Sequence, residues 1–179
     1  LQGMGEPLVN KHIYEMISYA KKYGIATELI CNGSMLTTNN IEKLLNNNLA
    51  KLTISVDGAS KEVFEKIRVK SDFNQVIENG KNFKKMIAKK IVRPEFSAWS
   101  TIQGDNLGEV EEITKLCKEI GFDDLTFQVF LTGWGKDEWN EINSKKNINY
   151  ENSKIKDTFE KVILKYSSNK FKVSVFEEN

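Results

Sequence analysis

The feature that most constrains this chain is a regular alternation of short β-branched or apolar runs with helical segments of 3.6-residue period. Strands are expected near 25–31, 51–56, 95–102, 125–131 and 171–176. Between them lie helical faces. Val9, Ile13, Met16, Ile17 and Ala20 follow Pro7. Ile41, Leu44, Leu45 and Leu49 follow a Thr37 or Thr38 cap. A short helix over 60–67 precedes a longer one carrying Phe73, Val76, Ile77, Gly80, Phe83 and Ile87. Leu107, Val110, Ile113, Leu116, Cys117 and Ile120 follow a cap at Asp105 or Asn106, and Ile155, Phe159, Val162, Ile163 and Tyr166 form the last face. Strands separated by helices imply right-handed βαβ units, so the first four strands are expected to form a parallel sheet. The run 125–131 is nearly continuously apolar, which predicts a strand buried on both faces. A barrel-like sheet and an open doubly wound sheet both satisfy this pattern. Either one places chemistry at the C-terminal ends of the strands, here 3–7, 31–33, 55–58, 103–106 and 128–133.

Composition narrows the class. The 179 residues hold 26 Lys+Arg against 25 Asp+Glu, a net charge of +1 that lacks the basic excess of a nucleic-acid surface. Two isolated Cys do not make a disulfide framework and suit a reducing compartment. No apolar run approaches the ~18–20 residues of a membrane span, so a cytoplasmic protein without membrane or nucleic-acid partners is expected. The chain opens on Leu1-Gln2 with no strand ahead of its glycine-rich loop, and is read as a fragment of a larger protein. One domain, 1–179, is expected.

Among residues able to carry chemistry, the loop Gly3-Met4-Gly5-Glu6-Pro7 stands out. Glycine lets backbone approach a ligand, Pro7 fixes the helix entry, and Glu6 can accept charge-assisted hydrogen bonds from an ammonium. Ser55 and Asp57-Gly58 close the second strand, and Arg68 follows 13 residues after Ser55. Cys31 and Cys117 read as small buried hydrophobes, and the single His12 as an exposed first-turn residue, without a partner for zinc. The basic run 81–93 reads as a solvated helix face. The segment from Trp134 to Trp139 is either a substrate lid or a packed surface loop.

The run Gly-x-Gly-Glu-Pro-Leu, then Asn32-Gly33, then Ile54-Ser55-Val56-Asp57-Gly58 and Arg68, in this order on alternating strands, resembles the radical S-adenosylmethionine (radical SAM) enzyme family. Residues 106–127 share the likeness, which covers 1–131; the stretch 132–179 reads as loop, helix and strand leading toward a C-terminal extension. Met4 stands where the family motif has its first Gly, and Cys31 where Thr is commoner. The resemblance implies a partial TIM-barrel fold and the cofactor S-adenosylmethionine. It also implies a [4Fe–4S] cluster held by a CxxxCxxC motif that this chain lacks, so the ligands would lie in the full-length protein and the fragment alone would be inactive.

For the cofactor site, the resemblance implies Met4, Gly5, Glu6 and Pro7 at the ammonium, Ser55 and Arg68 at the carboxylate, and Asp57 toward the ribose or substrate. It further implies a 5′-deoxyadenosyl radical abstracting hydrogen, an external electron donor, and a peptide or protein substrate if the branch is the one with a C-terminal auxiliary-cluster domain. Alternatives are an RNA-methylating radical enzyme and a non-catalytic α/β binding module.

Overall fold

The computed structural model describes residues 1, 5–131, 133 and 135–177. Each expected strand forms: β1 Glu28–Cys31, β2 Lys51–Ser55, β3 Glu95–Thr101, β4 Asp124–Gln128 and β5 Lys172–Phe176. All four pairings are parallel, and the spatial order β1-β2-β3-β4-β5 is the chain order. That order has a physical consequence. When every right-handed crossover steps the same way across a sheet, every connecting helix lands on the same face. The helices α1 Ile13–Lys22, α2 Thr38–Asn46, α3 Lys61–Ile67, α4 Phe73–Ile87, α5 Val110–Ile120, α6 Asp137–Ser144 and α7 Ser153–Tyr166 follow the strands in sequence. All but α6 pack on one another as a layer, α1 on α2, α2 on α4, α3 on α4, α4 on α5 and α5 on α7. The sheet is therefore singly wound and open, a barrel wall with two edges.

Register shows what this does to the two faces. Leu29, Leu52, Phe96 and Leu125 belong to the helix-side rows and are fully buried. Phe83, Phe96 and Phe122 stack in series at 4.8 and 4.1 Å, and Phe127 meets Phe159 edge-on at 5.4 Å. Each such ring contributes about 1.5–3 kcal/mol through burial. The other face is polar. Thr53 Oγ1 donates to Glu28 Oε1 at 2.9 Å, Ser97 Oγ to Asp124 Oδ2 at 2.5 Å, and Trp99 Nε1 to Gln128 Oε1 at 3.2 Å. The expectation that 125–131 is buried on both faces fails here: Thr126 and Gln128 face this open side and are only half-buried.

Local chemistry sets the element ends. Thr37, Ser60, Asp72 and Asn152 each accept a backbone N–H in the first turn of α2, α3, α4 and α7. Gly121 ends α5 at φ +91°, a conformation open to glycine. Two expectations change. The single helix after Pro7 breaks into a 3₁₀ turn, Pro7–Val9, and α1, so Leu8 is buried while Val9 and Met16 are exposed. Asn106 does not cap α5 with its side chain, which is used elsewhere. At the free edge of β1, the Leu1 amino group donates to Glu28 O. No helix among the described residues is long and apolar enough to cross a membrane.

Candidate functional site

The strands' C-terminal ends carry the sequence-predicted residues, and hydrogen bonds tie the loops above them into one rim. Gly5 takes φ +111°, and Glu6 heads the 3₁₀ turn with Pro7 at its first position. One Glu6 oxygen accepts the Leu8 N–H at 3.1 Å, the other the Asn32 N–H at 2.8 Å. The carboxylate thus clamps the glycine loop to the end of β1, with lone pairs left toward the rim. Asn32 Oδ1 accepts from Ser34 N–H and Oγ, and Asn79 Nδ2 donates to Gly33 O, which fixes the next loop. Gly33 is at φ +79°, and a Cβ there would sit 3.0 Å from Ile54 and Val76 side-chain carbons. Met4 and Gly3 lie outside the described residues.

At the end of β2, Ser55 shares the open polar face with Trp99 and is buried, yet among the described residues no partner bonds its hydroxyl. Two residues on, Asp57 is occupied on both oxygens: Oδ1 accepts the Thr101 N–H at 2.8 Å, Oδ2 the Arg68 Nε–H at 2.6 Å. The side chain of Asp57 is 4% exposed and that of Arg68 25%. Its carboxylate thus holds Arg68 and joins the end of β2 to β3. Among the described residues only Nε of the Arg68 side chain is engaged, which leaves its two terminal amino groups unbonded there.

Glu6 and Arg68 both act electrostatically on Cys31. Burial pushes the Cys31 thiol up, the Glu6 charge adds to this, and the Gly33 backbone and the Arg68 charge offset part of it. Glu6 is tied to Asn32 just past β1, and Arg68 to Asp57 just past the adjacent β2. A loop clamp, a free hydroxyl and an aimed guanidinium make a set that suits an amino-acid zwitterion, acceptor on one side and donors on the other.

Some of the bonds that hold this rim are absent from the sequence reading, which took Asn106 only as a possible helix cap. Asn106 is fully buried and donates to Asp57 O at 2.9 Å and Thr101 O at 3.0 Å, while accepting the Gln103 N–H. Glu109 accepts from Ala59 N–H at 2.8 Å and Ser60 Oγ at 2.5 Å, holding the loop after Gly58. Gly58 itself admits no side chain, since a Cβ would lie 2.6 Å from Phe64 N. A cavity of about 330 Å³ opens between Asp57, Arg68, Thr101 and Gln103 below and Asn143 and Lys146 above. A wider groove of about 1020 Å³ lies at the opposite strand ends, where Asp123 pairs with Arg93 at 2.7 Å and Lys84 at 3.3 Å. No group of three metal-ligating side chains occurs among the described residues, where Cys31 and Cys117 are both buried, so those residues do not fit a cluster.

Comparison with known proteins agrees with the fold. The AdoMet-dependent heme synthase of Oleidesulfovibrio alaskensis is 31% identical over 118 residues, covering 65% of this chain and 29% of that protein. The mycofactocin maturase MftC of Mycolicibacterium smegmatis is 26% identical over 143 residues, covering 78% and 34%. The chain thus spans about a third of the length of these curated relatives. The crystal structure of Streptococcus suis SuiB superposes with a TM-score of 0.70 at 15% identity, over 98% of this chain and 38% of that one. The family model described as Radical SAM superfamily matches residues 1–117, the stretch that builds the glycine loop, β1 to β3 and most of α5. On that match, and on the singly wound parallel sheet that underlies it, the chain belongs to the Radical SAM superfamily.

Proposed function

We propose that this chain is the S-adenosylmethionine-binding part of a radical enzyme acting on a peptide or protein, in a cytoplasmic setting with an external electron donor. The single observation that supports it most is that Glu6 is bonded at the end of β1 while Ser55 and the Asp57-bonded Arg68 lie at the end of the adjacent β2. Glu6 and the Gly5 backbone take the ammonium, and the Ser55 hydroxyl with the Arg68 amino groups takes the carboxylate. Met4 belongs to the same proposed loop contact. In a longer protein that held a [4Fe–4S] cluster, that group would supply the electron for radical chemistry on the cofactor bound by these residues. The ligands for that cluster are not among the described residues, so the work of this chain is binding and orientation. The peptide reading follows the likeness to a maturase.

The test compares two chains under anaerobic reconstitution with iron and sulfide. A longer chain adding a CxxxCxxC segment before Leu1 should show cluster absorbance and release 5′-deoxyadenosine on reduction, and Glu6→Ala should sharply lower that release. The 179-residue chain should do neither. Reductive cleavage by the short chain, or full activity of the Glu6→Ala form, would refute the assignment.

A further inference from the structure

The cavity beside Arg68 has a roof that the cofactor site does not require. The chain leaves β4, forms α6, and turns back over the sheet at Asn143–Asn147. That turn is fixed from two sides: Gly104 N–H donates to Lys146 O at 2.9 Å, and Leu131 N–H to Asn147 Oδ1 at 2.7 Å. Within it, the N–H groups of Lys146 and Asn147 both donate to Asn143 O, at 2.9 and 2.8 Å. Beyond it Tyr150 seats against Phe159 with ring centroids 5.5 Å apart. Lys146 therefore stands over the ends of β2 to β4 by backbone constraint.

The charges around this cavity do not cancel. Asp57 is occupied by Arg68 and the Thr101 N–H. Asp105 is bonded to Lys66 at 2.7 Å, and its acidity is raised first by that bond, with a smaller contribution from the charge of Lys146. Lys146 closes no ion pair among the described residues, and the Arg68 amino groups are free of Asp57. One positive charge is left over, with Gln103 alongside. Ile67 and Leu131 line the remaining walls together with Thr101 and Asn143. Cations at one end and aliphatic walls beside them suit a carboxylate on a hydrocarbon stem better than a bare oxyanion.

We propose that this cavity receives an acidic side chain of a peptide substrate, its carboxylate between Lys146 and the free Arg68 amino groups. The stem lies against Ile67 and Leu131. The proposal deepens the reading above, because Arg68 would then serve both the cofactor and substrate carboxylates from different amino groups.

The test is amide NMR of the 179-residue chain, with the Gly104 and Leu131 signals as reporters of the roof. N-acetyl-glutamate N-methylamide should shift both, while the glutamine analogue and inorganic phosphate should be at least about tenfold weaker. Lys146→Met should weaken the glutamate probe by about tenfold, and Lys146→Arg should retain it. S-adenosylmethionine binding, titrated separately, should be unchanged in both variants. Equal response to the glutamine probe, tighter binding of phosphate, or indifference to Lys146→Met would overturn the proposal. Parallel loss of cofactor binding in Lys146→Met would also overturn it, by making the roof part of the cofactor site. Glutamate binding without any S-adenosylmethionine binding would instead sink the cofactor reading and leave this one standing.

Discussion

Replacing Asp57 by Asn isolates the interaction on which the rim depends. The carboxylate is 4% exposed and takes two donors, the Arg68 Nε–H at 2.6 Å and the Thr101 N–H at 2.8 Å. Asn keeps size and one acceptor, so the Thr101 bond can survive, but its amide hydrogens then meet the Nε–H. Breaking a fully buried pair from one side costs about 3–5 kcal/mol. Arg68 is 25% exposed, and water can rehydrate part of its charge, which brings the expected loss down to about 2–3 kcal/mol. For a chain of this size, at roughly 2–4 °C per kcal/mol, Tm should fall by about 4–12 °C. Urea unfolding of the wild type, Asp57→Asn, Arg68→Met and the double variant completes the cycle. The double variant should lose clearly less than the sum of the two single losses. A loss under about 0.5 kcal/mol in Asp57→Asn, or strict additivity, would show that the pair carries no coupling and that Asp57 does not aim Arg68.

Three further outcomes follow from the same structure. Gly58→Ala puts a methyl 2.6 Å from the Phe64 backbone nitrogen and should cost at least about 1–3 kcal/mol in chemical denaturation, since backbone cannot move aside cheaply. Ser100→Ala should be neutral or stabilising by about 1 kcal/mol, because the Ser100 hydroxyl is fully buried without a partner among the described residues; a Tm drop of several degrees would contradict this. Glu111 is pulled down to about 2 by hydrogen bonds from Lys165, Tyr166 and Lys115, so its contribution is present above the ordinary Glu range and disappears as pH falls toward 2. The Tm gap between wild type and Glu111→Gln should accordingly hold steady near neutral pH and close on acidification, and a gap that widens in acid would contradict the sign.

The sequence made some of this legible and hid the rest for identifiable reasons. Alternation of period-2 and period-3.6 runs located five strands to within a few residues, as at Lys51–Ser55 and Glu95–Thr101. It could not say which way the crossovers step. A doubly wound sheet shares that pattern, so the apolar run 125–131 misled: Val129 and Phe130 lie past the strand's end at Gln128, and the alternation inside Asp124–Gln128 is the signature of a one-sided wall. The break after Val9 was masked because Val9 and Met16 fall on the helical period yet face solvent. For the proposed site, Glu6, Ser55 and Arg68 were named from an ordered set of motifs and the family resemblance they carry. Asn106 and Glu109 were not, because they act on loops about 49 residues away. Lys146 was invisible for a different reason. It lies in a stretch without a motif, and only the two bonds that fold the turn back over β3 and β4 give it a place.

Equilibrium titration of this chain with S-adenosylmethionine and with its decarboxylated analogue tests the central claim most directly. If Arg68 holds the cofactor carboxylate, wild type should prefer S-adenosylmethionine by about tenfold or more, and Arg68→Met should erase that preference while leaving the analogue's affinity nearly unchanged. Equal affinity of the wild type for both compounds, or a preference that survives Arg68→Met, would contradict the site described here.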